Sequence, residues 1–290
     1  MCQAVNKYTV KLNPLAYLSR SMNFLSDCRH ISDEIKIAIQ PFVGTKDGGK
    51  IVGMGADNTP TAYLDKIAED IALSYLRDIG ANVIVLSEEA GLVELEPGAQ
   101  DIIYLDPIDG TFNAIVDIPV YAFSMAYASH GEITHGFVSN LATDEIFMAR
   151  KGQGTTKNGS RVHISDVKNL HDASCTIYTH KQKKAEQLLQ LSLSVRRVRH
   201  LGASSLELAY VAAGSLDAYV DTRGSLRITD AAAGMLLCTE AGGVLSDHNG
   251  MNPVFADSVR LGSSLIASNQ HLYKEVVELT RHTGHEAYGL

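Results

Sequence analysis

Apolar residues return along this chain at two spacings, and the switches between them mark out its elements. Leu15, Leu18, Met22, Leu25, Ile31, Ile35 and Ile39 recur mostly every three or four positions, the period of a helix with one buried stripe. Asn13-Pro14 ahead of them is a cap followed by a first-turn proline, and Pro41 closes the run. A glycine-rich turn from Lys46 to Lys50 leads to a short strand at Ile51-Val52. Thr59-Pro60 repeats the cap signal, and Leu64, Ile67, Ile71 and Leu76 predict a second helix that stops at Gly80. Val83 to Leu86 and Ile102 to Leu105 are short unbroken apolar runs, the signature of buried strands. Val120 to Arg150 reads as three strands turning near His130-Gly131 and Thr143-Asp144. Gly152, Gly154 and Asn158-Gly159 then form a turn-rich bridge.

Beyond about residue 162 the two periods alternate. Strands are expected at 174–178, 195–199, 216–220, 243–246 and 263–267, with helices at 181–191, 204–213, 230–241 and 269–281. That is an α/β pattern. A boundary near 155–165 divides an N-terminal α+β part, 1–160, from a C-terminal α/β part, 161–290. Few linker-like residues mark it, so the two parts are expected to pack tightly.

Composition narrows the class. The chain has 290 residues, 45% hydrophobic and 20% charged, enough apolar surface to exclude disorder. Cys2, Cys28, Cys175 and Cys238 form no Cys-x-x-Cys pair, so neither a zinc knuckle nor a disulfide framework is expected. The first residues lack a basic region followed by an apolar run, and no stretch of about 18 apolar residues could span a bilayer. A cytoplasmic protein with no membrane partner is expected. The net charge is −8, which argues against a nucleic-acid partner. Residues 57–109 hold twelve acids against two bases, Lys66 and Arg77, so that segment is −10 and the remainder +2.

The chemistry gathers in that acidic stretch. Asp106-Pro107-Ile108-Asp109-Gly110-Thr111 follows the apolar run at 102–105. Asp106 is expected at the strand's carboxyl end, Pro107 stiffens a turn and Gly110 permits close backbone approach. Two carboxylates three residues apart can share hard cations, and the N–H groups of Gly110 and Thr111 can face an anion. An Asp-rich turn with a helix cap is the plainer alternative. Glu88-Glu89 also follows a predicted strand, Asp57 precedes Thr59-Pro60, and Asp230 opens an apolar helical run. Each alone reads as a cap or a surface acid. Together they sit at element ends, where α/β sheets place ligands. The other eight acids of 57–109 are expected on solvated helix faces and loops. Carboxylates without cysteine or clustered histidine suit Mg²⁺ or Mn²⁺ rather than Zn²⁺.

Ser87-Glu88-Glu89, Asp106 to Thr111 and Thr229-Asp230-Ala231-Ala232-Ala233-Gly234 together resemble the signatures of the inositol monophosphatase superfamily of Mg²⁺-dependent, lithium-sensitive phosphatases. Gly55 to Thr61 and Gly152-x-Gly154 leading to Asn158-Gly159 extend the resemblance, in order, over nearly the whole chain. The resemblance implies a layered αβαβα sandwich with the site between its two parts. It also implies a metal-activated water attacking a small-molecule phosphate ester. Glu88, Asp106 and the Ile108 carbonyl would bind one Mg²⁺, and Asp106, Asp109 and Asp230 a second. Glu88 could hold a third through water. Thr111, supported by Asp57, would orient the attacking water, and the N–H groups of Gly110 and Thr111 would bind phosphate. Members are commonly homodimers.

Substrate choice is finer. Relatives specific for inositol phosphate usually carry Trp before the last metal aspartate; here it is Thr229, and the chain has no Trp. Asp221 to Asp230, with Arg223 and Arg227, looks like the archaeal branch that hydrolyses both fructose 1,6-bisphosphate and inositol 1-phosphate. A bisphosphate needs a cationic clamp on the phosphate that stays, which Arg223 and Arg227 could supply unless they pair with acids instead. Gly202, Ala203, Ser204 and Ser205 would line the sugar pocket, or only cap a helix, and Asp221 could bind substrate hydroxyls. Lys181, Lys183, Lys184, Arg196, Arg197 and Arg199 form a basic stretch, read first as a solvated face. The alternatives are a phosphatase for nucleotide 3′-phosphates such as 3′-phosphoadenosine 5′-phosphate, and a catalytically silent regulatory member.

Overall fold

A computed structural model gives the fold and describes residues 22–178 and 185–281. The expected cap at Asn13-Pro14, with Leu15 and Leu18, lies outside the described residues, as do Lys181, Lys183 and Lys184. The first helix, α1 (Phe24–Ile39), is followed by β1 (Ile51–Met54), β2 (Pro60–Ala62), α2 (Tyr63–Asp78), β3 (Ile84–Ser87), β4 (Gly91–Glu94), β5 (Ile102–Asp109) and the short α3 (Thr111–Ile115). Then come β6 (Ala122–Ser129), β7 (Glu132–Asn140), β8 (Ile146–Arg150), β9 (Gly154–Lys157) and β10 (Ser160–Val162). The second half runs through β11 (Ser174–Tyr178), α4 (Ala185–Ser194), β12 (Arg197–Arg199), α5 (Ser204–Ala212), β13 (Ala218–Leu226), α6 (Ile228–Glu240), β14 (Val244–Ser246), β15 (Ser263–Ser268) and α7 (Gln270–Arg281).

These elements stack in five layers. On the outside, α1 presents Cys28, Ile31, Ile35 and Ile39, and α2 presents Leu64, Ala68, Ala72 and Leu76. Both stripes are buried with Val85, Ile103, Leu105, Phe123 and Phe137 of an eight-stranded sheet ordered β10-β9-β8-β7-β6-β5-β3-β4. Each of the leucine, isoleucine, valine and phenylalanine side chains among them contributes about 1.5–3 kcal/mol on leaving water. The other face of that sheet meets α5 and α6, which are covered in turn by a five-stranded sheet ordered β12-β11-β13-β15-β14. Ile177, Val220 and Ile266 of the second sheet are buried with Leu188 and Leu191 of α4 and Leu272 and Val276 of α7. The result is the expected αβαβα sandwich.

The middle layer is built for close approach. Ala209 and Ala212 of α5 and Ala231, Ala232 and Ala233 of α6 are all fully buried. A Cβ on Gly234 would stand 2.5 Å from the Leu208 Cβ, so only glycine lets α5 and α6 touch there. Small residues thus hold α6 against both sheets and bring its first turn to the strand ends.

Four local expectations are corrected. Thr59-Pro60 does not start a helix: Pro60–Ala62 pairs antiparallel with Ile51–Met54, and α2 begins at Tyr63. Asp65 accepts the Ala62 N–H and supplies the start signal from inside the helix. Pro107 lies within β5, not in a turn after it. Its missing donor is tolerated because the β5–β6 register shifts between Asp106 and Asp109. The turn-rich stretch at 152–159 is no bridge, since β9 and β10 form a hairpin that extends the first sheet. Asp65 and Glu69, expected on a solvated face, are buried at 6% and 4% exposure.

Candidate active site at the ends of two parallel strands

The pairing of β3 with β5 explains why two distant motifs meet. The strands are parallel, with Ser87 opposite Leu105, so Glu88 and Asp106 follow side by side where that pairing ends, Asp106 lying inside β5 and still paired with Ser124 of β6 rather than at its carboxyl end. Asp230, in the first turn of α6, arrives from the middle layer. Carboxylate oxygens of Glu88, Asp106 and Asp230 all lie within 4.8 Å of one another. Asp106 Oδ1 accepts the Ile108 N–H at 3.1 Å, which fixes its rotamer across the register shift. Asp109 Oδ2 accepts both the backbone N–H and the hydroxyl of Ser205, each at 2.6 Å.

Like charges this close cannot all be ionised at ordinary cost. Burial pushes the Asp106 carboxyl well above the usual carboxylate range, and Glu88, Asp109 and Asp230 push it further, with Arg227 opposing. Burial likewise raises Glu88, which Arg227 opposes and Asp230 reinforces. Asp109 is pushed up to about 7 by burial and then by Asp230, while its Ser205 bonds pull the other way. One guanidinium answers this repulsion: Arg227 Nη1 lies 2.6 Å from Asp57 Oδ2 and 2.6 Å from Glu88 Oε1, and Nε lies 3.2 Å from Asp230 Oδ2. Burial works against its charge, yet Asp230, Glu88 and Asp106 outweigh burial, so its pKa is raised.

The donor set fits divalent hard cations. It consists of converging carboxylate oxygens, only partly neutralised by Arg227. The structure thus gathers Glu88, Asp106 and Asp230, with Asp109 close enough to Asp230 to feel its charge.

Beside them, β5 turns at Gly110, whose φ of 90° only glycine adopts freely. A Cβ there would meet the Val120 oxygen at 2.9 Å and the Ala203 Cβ at 3.1 Å. Asn113 Nδ2 donates to the Val120 and Leu201 carbonyls, each at 2.7 Å, which ties the Gly110-Thr111 turn to the Gly202-Ala203 loop. The turn and the loop before α5 thus pack directly against each other.

Several expected roles change. Asp57 does not support Thr111: its carboxylate takes the Thr59 N–H and hydroxyl, and Arg227. The partner of Thr111 is Asp65, with Oγ1 2.7 Å from Asp65 Oδ1 and 2.9 Å from the Ile108 oxygen. Asp65 is pushed up to about 7 by burial, against the Thr111 bond, with Glu89 and Glu69 adding to the rise. Ser205 is fully buried with its hydroxyl on Asp109, so it orients a ligand candidate rather than lining a sugar pocket. Ser204 accepts the Tyr219 hydroxyl at 3.0 Å. Asp221 is fully buried and paired with Arg223 through Nη2 at 2.6 Å and Nε at 3.0 Å, so it holds that arginine instead of facing substrate. The Arg223 guanidinium lies 4.2 Å from the Tyr178 ring centre. Arg227 sits among the acids, the pairing alternative to a clamp.

The burial of Asp65 has a signal in the sequence. Asp65 and Glu69 stand at helical spacing from Ala72 and Leu76 of the apolar stripe of α2, so the periodicity that buries Leu64 and Ala68 buries them too.

Comparison with known proteins identifies the family. A fructose-1,6-bisphosphatase/inositol-1-monophosphatase of Methanothermobacter thermautotrophicus is 37% identical over 265 residues, covering 86% of this chain and 93% of that protein. A bifunctional NADP phosphatase/NAD kinase of Methanococcus maripaludis is 32% identical over 88% of this chain, which spans 49% of that longer protein. A solved structure described as inositol monophosphatase-fructose 1,6 bisphosphatase superposes with a TM-score of 0.82 at 33% identity, covering 89% of this chain and all of that one. Residues 30–284, which carry every element from α2 to α7 and all the converging carboxylates, match the inositol monophosphatase family. The chain belongs to the inositol monophosphatase family and is a phosphatase of phosphoric monoesters.

Proposed function

We propose that this enzyme hydrolyses fructose 1,6-bisphosphate and inositol 1-phosphate with Mg²⁺, Mn²⁺ being a possible substitute. The observation that carries the reading is the convergence of Glu88, Asp106 and Asp230 within 4.8 Å beside the Gly110-Thr111 turn. Two or three cations would be held by Glu88, Asp106, the Ile108 carbonyl, Asp109 and Asp230. Bound there, Mg²⁺ supplies the positive charge that lowers the pKa of water and stabilises the leaving alkoxide.

The chain's own residues do the rest. The Gly110 and Thr111 N–H groups, at a helix start with no intrahelical acceptor, bind the phosphate. The attacking water donates to Thr111 Oγ1, and Thr111 passes its own proton toward Asp65 Oδ1. A carboxyl pushed up to about 7 can take that proton at neutral pH. Gly202, Ala203 and Ser204 approach the sugar or polyol. Arg223, held by Asp221 and half-buried against Tyr178, is the better placed arginine to hold the phosphate that is not cleaved.

A second reading is favoured by the NADP phosphatase/NAD kinase relatives: a ribose phosphate on a dinucleotide in place of a sugar phosphate. The intact ligand set speaks against a silent regulatory member. The inositol monophosphatase resemblance supports a homodimer, and a cytoplasmic location belongs to the same reading. Among the described residues no helix is long and apolar enough to cross a membrane. The test is phosphate release with Mg²⁺ from fructose 1,6-bisphosphate, inositol 1-phosphate, NADP and 3′-phosphoadenosine 5′-phosphate. Turnover of NADP alone would replace the leading reading with the second.

A further inference from the structure

Glu88 is the cation ligand candidate with the least secondary structure beneath it. It stands on a three-residue turn, Glu88-Glu89-Ala90, between β3 and β4. Its neighbour Glu89 is tied to the β1–β2 hairpin, through the Ala56 N–H to the Glu89 carbonyl and the Thr61 hydroxyl to the Glu89 carboxylate. Something else must hold the turn to the body of the fold. That something is Glu69, from the middle of α2. Its Oε1 accepts the Ser87 hydroxyl at 2.5 Å and the Ala90 N–H at 2.7 Å. Ser87 and Ala90 bracket Glu88 and Glu89, so one oxygen atom spans the whole turn.

We propose that Glu69 is a positioning residue that sets the affinity of the acid cluster for divalent cations by fixing the turn that carries Glu88. Three observations argue for this over a general packing role. Glu69 is 4% exposed and, among the described residues, no cation pairs with it, so it adds negative charge to a region already rich in it. An apolar residue would hold α2 against the sheet without that cost. The bonds are aimed at the turn alone: Ser87 ends β3 and Ala90 precedes β4. Both bonds end on the same oxygen, Oε1, so the geometry asks for a carbonyl-type acceptor at this point and makes no use of the second oxygen.

The inference rests on the reading of the acid cluster as a cation centre, and the experiment separates the two. Mg²⁺ binding to the full chain is measured by calorimetry and by the Mg²⁺ dependence of the melting temperature, beside Mg²⁺ titrations of phosphate release. Outer-shell partners of metal ligands are worth about 10–100-fold in affinity, so Glu69→Ala is expected to weaken Mg²⁺ binding about tenfold or more. Ser87→Ala, which removes one of the two bonds, is expected to weaken it by less. Glu69→Gln keeps an oxygen acceptor for both donors and is expected to bind within about threefold of the parent, well short of the outer-shell range. The rate at saturating Mg²⁺ falls less than the affinity in each case, because Glu69 touches no reacting atom. Parent-like Mg²⁺ binding in Glu69→Ala and Ser87→Ala overturns the inference. So does Glu69→Gln binding as weakly as Glu69→Ala, which would assign the effect to charge. Should Glu69→Ala fail to fold, Ser87→Ala and Glu69→Gln decide: the first must weaken Mg²⁺ binding and the second must not. A parent chain that binds no Mg²⁺ removes the cation centre itself, a failure that none of the variants can mimic.

Discussion

Two groups of buried carboxylates in this molecule are treated differently. Around Glu207, each acid has its own donors. Glu207 itself takes the Thr176 hydroxyl at 3.0 Å, the Leu201 N–H at 2.7 Å and the Tyr178 hydroxyl, while Asp221 is paired with Arg223. Around Asp106, the acids face one another and share the guanidinium of Arg227. Burial raises both Glu207 and Asp106. For Glu207 the hydrogen bonds oppose that rise, whereas for Asp106 the neighbouring acids reinforce it. Buried charge that is satisfied on the spot is architecture; buried charge left in mutual conflict is waiting for a cation. The same distinction tells which acids can be removed without touching chemistry.

The sharpest way to break the comparison is at Asp106. Asp106→Asn keeps the shape and removes a ligand shared by two proposed cations. Phosphate release is expected to fall more than about 100-fold, beyond the range seen for outer-shell partners. The metal-free variant is expected to melt above the metal-free parent, because one repelling carboxylate is gone. Activity close to the parent's would remove Asp106 from the centre.

Asp65 comes next. Asp65→Asn takes away the proton acceptor behind Thr111 and is expected to cost about 10²–10⁴-fold in rate, the usual worth of a positioned acid or base. It also carries a pH signature. A carboxyl raised from 3.8 to about 7 in the folded state stabilises the fold in its protonated form. That contribution is complete below the ordinary value and is lost as pH rises from about 4 through about 7. Asp109, also pushed up to about 7, acts in the same direction. In metal-free protein the melting temperature of the parent, relative to Asp65→Asn, should therefore decline across that window. Saturating Mg²⁺ should lift the parent at pH 8 by mass action, about 2.7 kcal/mol at a hundred times the dissociation constant. A flat difference between the two proteins would return Asp65 to the ordinary buried acids.

Glu207 tests the other side. Glu207→Ala strands three donors and is expected to lower unfolding stability by about 1–3 kcal/mol in denaturant titrations. Its Mg²⁺ requirement should not move. A shifted Mg²⁺ titration with unchanged stability would erase the distinction between the two regions.

The motifs at Glu88, Asp106 to Thr111 and Asp230 were readable because their chemistry is local, with carboxylates at strand and helix ends and a glycine at the turn. The order of layers is legible only through the resemblance, whereas the apolar stripes of α1 and α2 by themselves say no more than that each helix buries one face. What was not readable depended on which partner arrives from elsewhere. Asp57 and Asp65 both precede apolar helical positions, and nothing in their neighbourhoods says which one reaches Thr111. That is decided by where Thr59-Pro60 pairs as a strand, which pushes the helix start to Tyr63 and turns Asp65 inward. For Ser205 a pocket role is only what the resemblance implies, and the residues themselves offer no more than a helix cap. Its hydroxyl instead caps Asp109 from across the two halves of the molecule. Asp57, 170 positions before Arg227, joins Glu88 and Asp230 in fixing its place, and no local pattern contains that information.

Arg227 and Arg223 give the last and smallest contrast. They lie four residues apart, and each is bound to acid, but Arg223 answers a single aspartate while Arg227 competes for the atoms proposed to hold metal. Removing a competing charge about 4 Å away, at the effective dielectric of a protein surface, is enough to matter, but reorganisation absorbs most of it. Arg227→Gln is therefore expected to tighten Mg²⁺ binding by only about threefold to tenfold, an order-of-magnitude figure for a partly screened pair. The KM ratio between fructose 1,6-bisphosphate and inositol 1-phosphate should stay near the parent's. Arg223→Gln should do the reverse, raising the KM for the bisphosphate selectively while the Mg²⁺ titration stays in place. If Arg227→Gln instead weakens the bisphosphate alone, then in the loaded enzyme that arginine leaves the carboxylates for the substrate, and the clamp belongs to Arg227 after all.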